Sequence, residues 1–318
     1  LALEQGELTV ALTPERLAAA QASGWLEGDA SPLLLQGDRL GWRRWLQAME
    51  QVVAELVERA HAPLPEHVEA ADPELSDRLN AEQCAAVHAL DQASVVLLSG
   101  GPGTGKTSTV VEILARAEAR HPGLRIGLAA PTGKAARRLG EAVMAQRAPL
   151  PCSTLHRWLE AGSRGFGRHR QRPLELDLLV IDEMSMLDLA LTQALLEALP
   201  SGCRLLLVGD PAQLPPVGSG AVWHRLQQSD VCGRFGAGAV HLERTYRNRG
   251  ALAQVAQQLR QGNLEAFAVD LAALPEQANL QVHPWPLRRF PALVRQRWMQ
   301  RPCGKHIYEP TTMDHIAV

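Results

Sequence analysis

Residues 100–108 read Gly100-Gly101-Pro102-Gly103-Thr104-Gly105-Lys106-Thr107-Ser108. The stretch satisfies the pattern G-x-x-x-x-G-K-[ST]; it follows the apolar run Val95–Leu98 and precedes a helical pattern over Thr107–Arg120. The glycines let backbone N–H groups turn inward around phosphate oxygens, and the amino end of the helix adds a favourable field. Because a chance match in a chain of this length is on the order of one in a hundred, the stretch predicts a phosphate-binding loop.

Two side chains of this loop have defined roles in such sites. Lys106 is expected to reach the β- and γ-phosphates, and the Thr107 hydroxyl is expected to ligate Mg²⁺. The other residues of the loop predicted to contact the nucleotide are Gly101, Pro102, Gly103, Thr104, Gly105 and Ser108. The loop therefore predicts a nucleoside triphosphate and Mg²⁺ as cofactors.

Short apolar runs alternate with helical patterns from Asn80 onward. The predicted strands are Val95–Leu98, Arg125–Ala129, Leu178–Asp182, Arg204–Gly209 and Val240–Leu242, and the helical stretches include Thr107–Arg120, Ala135–Gln146 and Leu189–Leu199. Continuous apolar strands separated by helices indicate an α/β fold, with a parallel sheet covered by helices on both faces. Ligands bind such sheets beyond the carboxyl ends of the strands, where the phosphate loop also falls.

The predicted strand Leu178-Leu179-Val180-Ile181 ends in two adjacent carboxylates, Asp182 and Glu183. Asp182 is placed to hold the Mg²⁺ shell, and Glu183 to orient or deprotonate an attacking water. A solvated Asp-Glu pair at a strand end is the plain alternative, but this pair lies about 75 positions after the phosphate loop on a matching strand. A P-loop kinase would not need the second carboxylate, so the pair favours hydrolysis over phosphoryl transfer to a metabolite.

The first sixty residues are predicted to form a small, mostly helical module. Thr13-Pro14-Glu15 opens a short helix with a capping residue and a proline at its first position. The segments Leu33–Leu35 and Arg39–Leu40 could form a hairpin, and an amphipathic stripe over Trp45–Ala60 is typical of a core-facing helix. A proline-containing linker follows, so the predicted boundaries are 1–62 for the module, 63–78 for the linker and 79–245 for the nucleotide-binding domain.

Composition excludes several classes of protein. The five cysteines form no C-x-x-C pair, so neither a disulfide framework nor a zinc site is indicated, and a reducing cytoplasmic compartment is expected. The apolar runs are too short to span a bilayer, so no membrane is expected as a partner. A net charge of −2 argues mildly against a protein that binds nucleic acid with its whole surface. It leaves open a local positive groove.

Two motifs on either side of the acid pair resemble those of superfamily 1 helicases. Leu79-Asn80-Ala81-Glu82-Gln83 is similar to the Q motif, and Gly209-Asp210-Pro211-Ala212-Gln213-Leu214-Pro215-Pro216-Val217-Gly218 is similar to motif III. The resemblance implies that Gln83 reads the adenine edge, which makes ATP the expected nucleotide. It also implies that Gln213 contacts the γ-phosphate and couples it to the DNA groove.

A third motif, Leu242-Glu243-Arg244-Thr245-Tyr246-Arg247, resembles motif IV of the same family. By that resemblance Tyr246 would stack on adenine, and Arg247 would approach the γ-phosphate from a second domain. The family's motors are built from RecA-like domains. A RecA-like P-loop NTPase sheet is therefore the expected fold, with residues 246–318 beginning a second motor domain.

Two further segments resemble the strand-binding motifs of these helicases. Residues 130–138 read Ala130-Pro131-Thr132-Gly133-Lys134-Ala135-Ala136-Arg137-Arg138, and residues 153–156 read Ser153-Thr154-Leu155-His156. The resemblance implies contacts with the backbone of single-stranded DNA. The residues expected to make them are Pro131, Thr132, Lys134, Thr154 and His156.

Within superfamily 1, the chain resembles the RecD family. The resemblance lies in the Ser31–Trp45 stretch and in Asp182-Glu183-Met184-Ser185-Met186-Leu187-Asp188, and it covers roughly residues 30–265. It implies 5′→3′ translocation on single-stranded DNA within an exodeoxyribonuclease V complex that processes double-strand breaks for recombination. It also implies that residues 1–62 dock onto another subunit of that complex.

Past Gly262 the resemblance fades, and no motif V or motif VI is recognisable. The second motor domain is therefore expected to be incomplete. This leaves a second hypothesis: a truncated module that holds Mg·ATP and a partner without independent helicase activity. A basic insertion between the second strand-binding motif and the acid pair also allows two interpretations, a solvated loop or a positively charged flap near the DNA. It contains Arg164, Phe166, Arg168, His169, Arg170 and Arg172.

Overall fold

The computed structural model describes residues 7–26, 28, 30–64, 79–163, 165–246, 266 and 269 of the 318-residue chain. The chain divides into two compact units, residues 1–249 and 250–318, and the elements below belong to the first. Among the described residues, no helix combines the length and the apolar character that a membrane span requires. Arg247 and most of the predicted linker 63–78 lie outside the described residues.

A three-stranded antiparallel sheet and two helices form the amino-terminal part. In chain order they are β1 (Thr9–Ala11), α1 (Pro14–Ala22), β2 (Leu33–Gln36), β3 (Arg39–Trp42) and α2 (Arg43–Ala60), and the strand order is β1-β3-β2. Thr13 caps α1 by accepting a hydrogen bond from the Arg16 amide at 3.4 Å, and a proline stands at the first helical position. The predicted short helix and hairpin are thus both present.

Six parallel strands form the main sheet, in the order β11-β4-β10-β9-β5-β6. These strands are β4 (Val95–Gly100), β5 (Ile126–Ala130), β6 (Cys152–Thr154), β9 (Leu178–Ile181), β10 (Arg204–Gly209) and β11 (Ala239–Leu242). Helix α3 (Ala81–Ala89) precedes the first of these strands, and the helices between them are α4 (Lys106–Arg120), α5 (Gly133–Met144), α6 (Leu155–Trp158), α7 (Leu189–Ala198), α8 (Val222–Gln227) and α9 (Ser229–Cys232). This is the predicted α/β P-loop NTPase architecture.

Alternate residues of the strands point into two separate apolar cores, one on each face of the sheet. On β4, Val95 and Leu97 join one core while Val96 and Leu98 join the other. Helices α3, α4 and α5 cover the second core, and α7, α8 and α2 cover the first. The buried stripe of α2, which is Met49, Val52, Val53, Leu56, Val57 and Ala60, therefore packs within the core of the nucleotide-binding sheet.

The basic insertion contains a small antiparallel hairpin of β7 (Ala161–Gly162) and β8 (Gly165–Phe166). At its base Glu160 pairs with two arginines, Arg168 Nε at 2.9 Å and Arg172 Nη1 at 2.5 Å. The hydrogen bond from Arg168, with help from Arg172, holds the pKa of the Glu160 carboxyl below its usual range. Two arginines of this insertion therefore share one carboxylate within it.

Gly209, the last residue of β10, allows the fully buried ring of Trp223 to lie against the strand. A Cβ at this position would come within 2.6 Å of Trp223 Cε2. Gly209→Ala is therefore expected to lower the free energy of unfolding by about 1–3 kcal/mol through overpacking. Denaturant unfolding measures the change. Gly202→Ala is the control, because a Cβ there meets nothing within 4 Å; equal stability of the two variants would contradict the packing argument.

Candidate nucleotide-binding site

The carboxyl ends of all six parallel strands meet at one edge of the sheet, and each end leads into a segment that sequence analysis identified. In sheet order these segments begin after Leu242, Gly100, Gly209, Ile181, Ala130 and Thr154. The phosphate loop thus has the Tyr246 segment on one side and the Gln213 segment on the other. Strand β10 lies between the strand that leads into the phosphate loop and the strand that leads into the acid pair. The order of the motifs along the sequence does not show this arrangement.

The phosphate loop turns back on itself through left-handed glycines. Gly103 has φ +80° and Gly105 has φ +88°, a region that side chains other than glycine rarely adopt. Thr104 Oγ1 donates to the Gly101 carbonyl at 2.9 Å, and Lys106 Nζ donates to the carbonyls of Gly100 and Gly101 at 2.6 and 3.0 Å. The lysine ammonium therefore lies within the loop.

Helix α4 begins at Lys106 without a side-chain cap, since its N-cap residue is Gly105. The first backbone N–H groups of a helix have no partner within the helix, and they favour an anion such as a phosphate. The left-handed glycines, the lysine and this uncapped helix end lie within one short stretch of chain, the phosphate cradle. The residues present fit the phosphates of a nucleotide.

Asp182 follows β9 directly, and its carboxylate Oδ1 accepts a hydrogen bond from the Glu183 amide at 2.9 Å. Burial raises the pKa of the Asp182 carboxyl, and the neighbouring Glu183 charge raises it further. The hydrogen bond from the Glu183 amide and the charges of Lys106 and Arg138 oppose this rise. A buried carboxylate that lacks enough cationic charge is stabilised by a divalent cation. Asp182 therefore fits the predicted Mg²⁺ ligand.

Glu183 adopts a left-handed backbone conformation, with φ +57° and ψ +44°. For a residue with a side chain, this conformation costs on the order of 1–3 kcal/mol and is concentrated at functional sites. The turn that follows, Met184–Met186, buries Ser185 completely, and the Ser185 hydroxyl donates to Gln213 Oε1 at 3.3 Å. The turn that follows the acid pair is thereby connected to Gln213 by one side-chain hydrogen bond.

Gln83 and Tyr246 meet beside the phosphate loop. The Tyr246 hydroxyl donates to Gln83 Oε1 at 3.3 Å, and the Tyr246 amide donates to the Gly103 carbonyl at 2.8 Å. The Arg244 guanidinium lies 5.3 Å from the centroid of the Tyr246 ring. A Cβ at Gly105 would lie 2.7 Å from Gln83 Nε2, so the glutamine amide contacts the loop itself.

The predicted DNA contacts lie at the ends of β5 and β6. Thr132 caps α5 and Thr154 caps α6, each accepting a backbone hydrogen bond at 3.3 Å. The register pairs Ala130 with Thr154, so these two segments start side by side. The other predicted contacts on these segments are the partly buried Pro131 and the exposed Lys134 and His156.

Sequence reasoning did not identify two residues that shape the site. Ser185 lies in the motif that resembles RecD, but its burial and its bond to Gln213 depend on the adjacency of β9 and β10. Glu82 Oε2 accepts a hydrogen bond from the Glu243 amide at 2.9 Å, across 161 positions of sequence. The only available signal for Glu82 was its position next to Gln83 in the Q motif.

The fold and the site together define a P-loop NTPase, and a family model described as an AAA domain matches residues 83–219. The chain is 42% identical over 191 residues to the ATP-dependent RecD2 DNA helicase of Deinococcus radiodurans, covering 59% of this chain and 25% of that protein. It is 36% identical over 304 residues to the RecBCD enzyme subunit RecD of Mycolicibacterium smegmatis, covering 88% of this chain and 53% of that protein.

The RecBCD enzyme subunit RecD of Mycobacterium tuberculosis H37Rv is 43% identical over 225 residues, with coverage of 65% of this chain and 39% of that protein. These relatives confirm the resemblance to RecD-like superfamily 1 DNA helicases that the motifs of the chain indicated. The chain spans between a quarter and about half of the length of these relatives.

Asp182→Asn tests the metal-binding role of this carboxylate. A pKa that is raised in the folded state means that ionised Asp182 destabilises the free protein once the pH rises above the ordinary carboxyl range, near 4. The variant should therefore have a thermal midpoint at pH 7 equal to or above that of the wild type, with the difference vanishing near pH 3. Its affinity for Mg²⁺ in the presence of nucleotide should fall. An unchanged Mg²⁺ titration would remove Asp182 from the metal site.

Proposed function

We propose that this chain binds Mg·ATP and hydrolyses it to drive 5′→3′ movement along single-stranded DNA. We further propose that it acts in the cytoplasm as a subunit of an exodeoxyribonuclease V complex, in double-strand break repair and recombination. One observation carries the proposal. The phosphate cradle, the acid pair and two capped helix starts with exposed basic groups all lie at the same edge of one sheet.

Different residues of the chain have different roles in hydrolysis. Bound Mg·ATP supplies the phosphoryl group that is transferred to water. Lys106 and the first amides of α4 bind the phosphates, and Thr107 and Asp182 hold the metal. Glu183 accepts the proton of the attacking water, because it is the carboxylate next to the metal ligand.

Coupling to DNA follows from the order of the strands. Gln213 lies after β10, between the phosphate loop and the acid pair, and its side chain contacts the Ser185 turn. The next two strand ends lead to Thr132 and Thr154. A conformational change at the phosphates can therefore be transmitted to the proposed DNA contacts through the segments that follow neighbouring strands at this edge of the sheet. Arg247, which follows Tyr246 directly in the sequence, is proposed to add a positive charge at the γ-phosphate.

The names of the relatives support this choice of substrate and partners, since they include an ATP-dependent DNA helicase and subunits of the RecBCD enzyme. The proposed partners are single-stranded DNA and the other subunits of such a complex. Residues 1–62 are proposed to dock onto one of those subunits. The packing of α2 in the core of the sheet would then join the docking surface rigidly to the nucleotide-binding domain.

Glu183→Gln separates binding from hydrolysis. The amide keeps the shape of the carboxylate but cannot accept the water's proton, so the rate should fall by about 10²-fold or more. The affinity of this variant for Mg·ATP should stay within about threefold of the wild-type affinity, because the carboxylate that is replaced by a neutral amide binds no phosphate. Release of inorganic phosphate measures hydrolysis, and displacement of a bound nucleotide measures affinity. The variant Lys106→Ala is expected to lose hydrolysis, because it removes the point charge at the phosphates. Unchanged hydrolysis in both variants would exclude the proposed site.

Lys134→Ala tests the DNA-binding edge. Phosphate contacts make affinity for a single strand fall with salt, with a slope of about −0.7 for each contact. The variant should bind an oligothymidylate more weakly, and the slope of its salt dependence should be shallower by about 0.7. Fluorescence anisotropy over a salt series measures both. Arg16→Ala removes the same charge from α1 and serves as the control. An equal loss of DNA affinity in that variant would argue against a local contact of Lys134 with DNA.

A further inference from the structure

Ser185 is a completely buried serine in the turn that follows the acid pair. Its hydroxyl donates a hydrogen bond to Gln213 Oε1 at 3.3 Å. The backbone of the turn is closed by the Met186 amide, which donates to the Glu183 carbonyl at 3.0 Å. A buried hydroxyl without a hydrogen-bond partner is unfavourable, so the turn holds the oxygen of the glutamine side chain towards itself.

The loop that carries Gln213 is restrained on both sides of this residue. On the amino-terminal side, the carbonyl of the buried Asp210 accepts a hydrogen bond from the Gln213 amide at 3.3 Å. On the carboxyl-terminal side, the Ser219 carbonyl accepts a hydrogen bond from the Leu189 amide at 3.1 Å, where α7 begins. The backbone of the loop therefore has a defined place beside the turn, and the contact with Ser185 adds a restraint on the glutamine side chain.

This contact also determines which end of the Gln213 amide is available to a ligand. A side-chain amide has an oxygen that accepts hydrogen bonds and a nitrogen that donates two of them. With the oxygen facing the Ser185 hydroxyl, the nitrogen remains, and the glutamine is exposed. The oxygens of an ionised triphosphate only accept hydrogen bonds, so they can bind the nitrogen and would be repelled by the amide oxygen. The orientation that the serine favours is therefore the one that fits a phosphate.

We propose that Ser185 is a positioning residue for ATP hydrolysis, because it holds the Gln213 oxygen so that the glutamine nitrogen faces the γ-phosphate. The strand order supports this role, since β10, which leads to Gln213, is paired with β4, which leads into the phosphate loop. The serine acts only through the glutamine and does not touch the nucleotide. ADP has no γ-phosphate, so the serine hydroxyl contributes to the preference for ATP over ADP. This role rests on the proposed function in one respect, the binding of Mg·ATP at the phosphate loop.

The test compares the affinities of the 318-residue chain for ADP and for the β,γ-imido analogue of ATP, both with Mg²⁺. Displacement of fluorescent methylanthraniloyl-ADP measures both affinities. In Ser185→Ala the affinity for the ATP analogue should fall by about three- to tenfold, the range of one hydrogen bond, while the affinity for ADP stays within about twofold. A purely structural role of the hydroxyl would weaken both nucleotides equally. Ser94→Ala changes another buried serine, at the amino end of β4, and should leave both affinities unchanged.

A double-mutant cycle tests whether the serine acts through the glutamine. Gln213→Ala should weaken the ATP analogue at least as much as Ser185→Ala does, and combining the two changes should add less than about twofold to the loss in Gln213→Ala. Gln213→Glu keeps an oxygen for the serine hydroxyl but offers no N–H group to the phosphate. Its affinity for the ATP analogue should therefore fall at least as far as that of Gln213→Ala.

Two results would overturn the proposal: an unchanged ratio of the affinities for the ATP analogue and ADP in Ser185→Ala, or fully additive losses in the double variant. Failure of the proposed function has a different signature, since the wild-type chain would then bind neither nucleotide and Lys106→Ala would behave like the wild type. A thermal midpoint within a few degrees of the wild type establishes that each variant is folded. Should Ser185→Ala fail that check, Ser185→Cys replaces it, because a thiol is of similar size and donates only weakly.

Discussion

The backbone of β4 is paired on both sides, with β10 and β11, and its side chains are buried on both faces of the sheet. Because four consecutive apolar residues of this strand are buried, its polar backbone groups need partners, and the two neighbouring strands supply them. The point at which the chain leaves the sheet is thereby held in place, and that point is Gly100, the first residue of the phosphate loop. The cradle can be built from glycines because the strand before it supplies the rigidity.

The same pairing brings distant segments to the loop. Because β11 is parallel to β4, the chain leaves β11 at the same edge and passes beside the loop, where Tyr246 bonds to Gly103 and Gln83. Because β10 pairs with β9 on its other side, Gln213 reaches the turn that follows Asp182 and Glu183. The site is therefore a property of strand order. Its hydrogen bonds join segments that are far apart in the sequence, such as Tyr246 with Gly103 and with Gln83, and Glu243 with Glu82.

Several elements were predictable from the sequence because each has a strong local cause. Strand β10 has the predicted bounds, because its apolar run is flanked on both sides by residues typical of turns. Helix α5 begins at Gly133, two residues before its predicted start, because Thr132 supplies the cap that the apolar pattern alone does not show. Strand β6 was not predicted. Its three residues include Ser153 and Thr154, and only pairing with β5 makes them a strand.

The sequence by itself determined the phosphate loop, the acid pair and the resemblance to a helicase family, because these depend on residue types at fixed local spacing. Tertiary structure alone decided which atoms of the site residues are available. Gln213 was recognisable from its motif, but the use of its oxygen by Ser185 follows from a contact across 28 positions, which the pairing of β9 with β10 brings about. Hydrogen-bond capacity is limited by lone pairs and protons. What a polar side chain can offer a ligand is therefore known only after its partners in the fold have been counted.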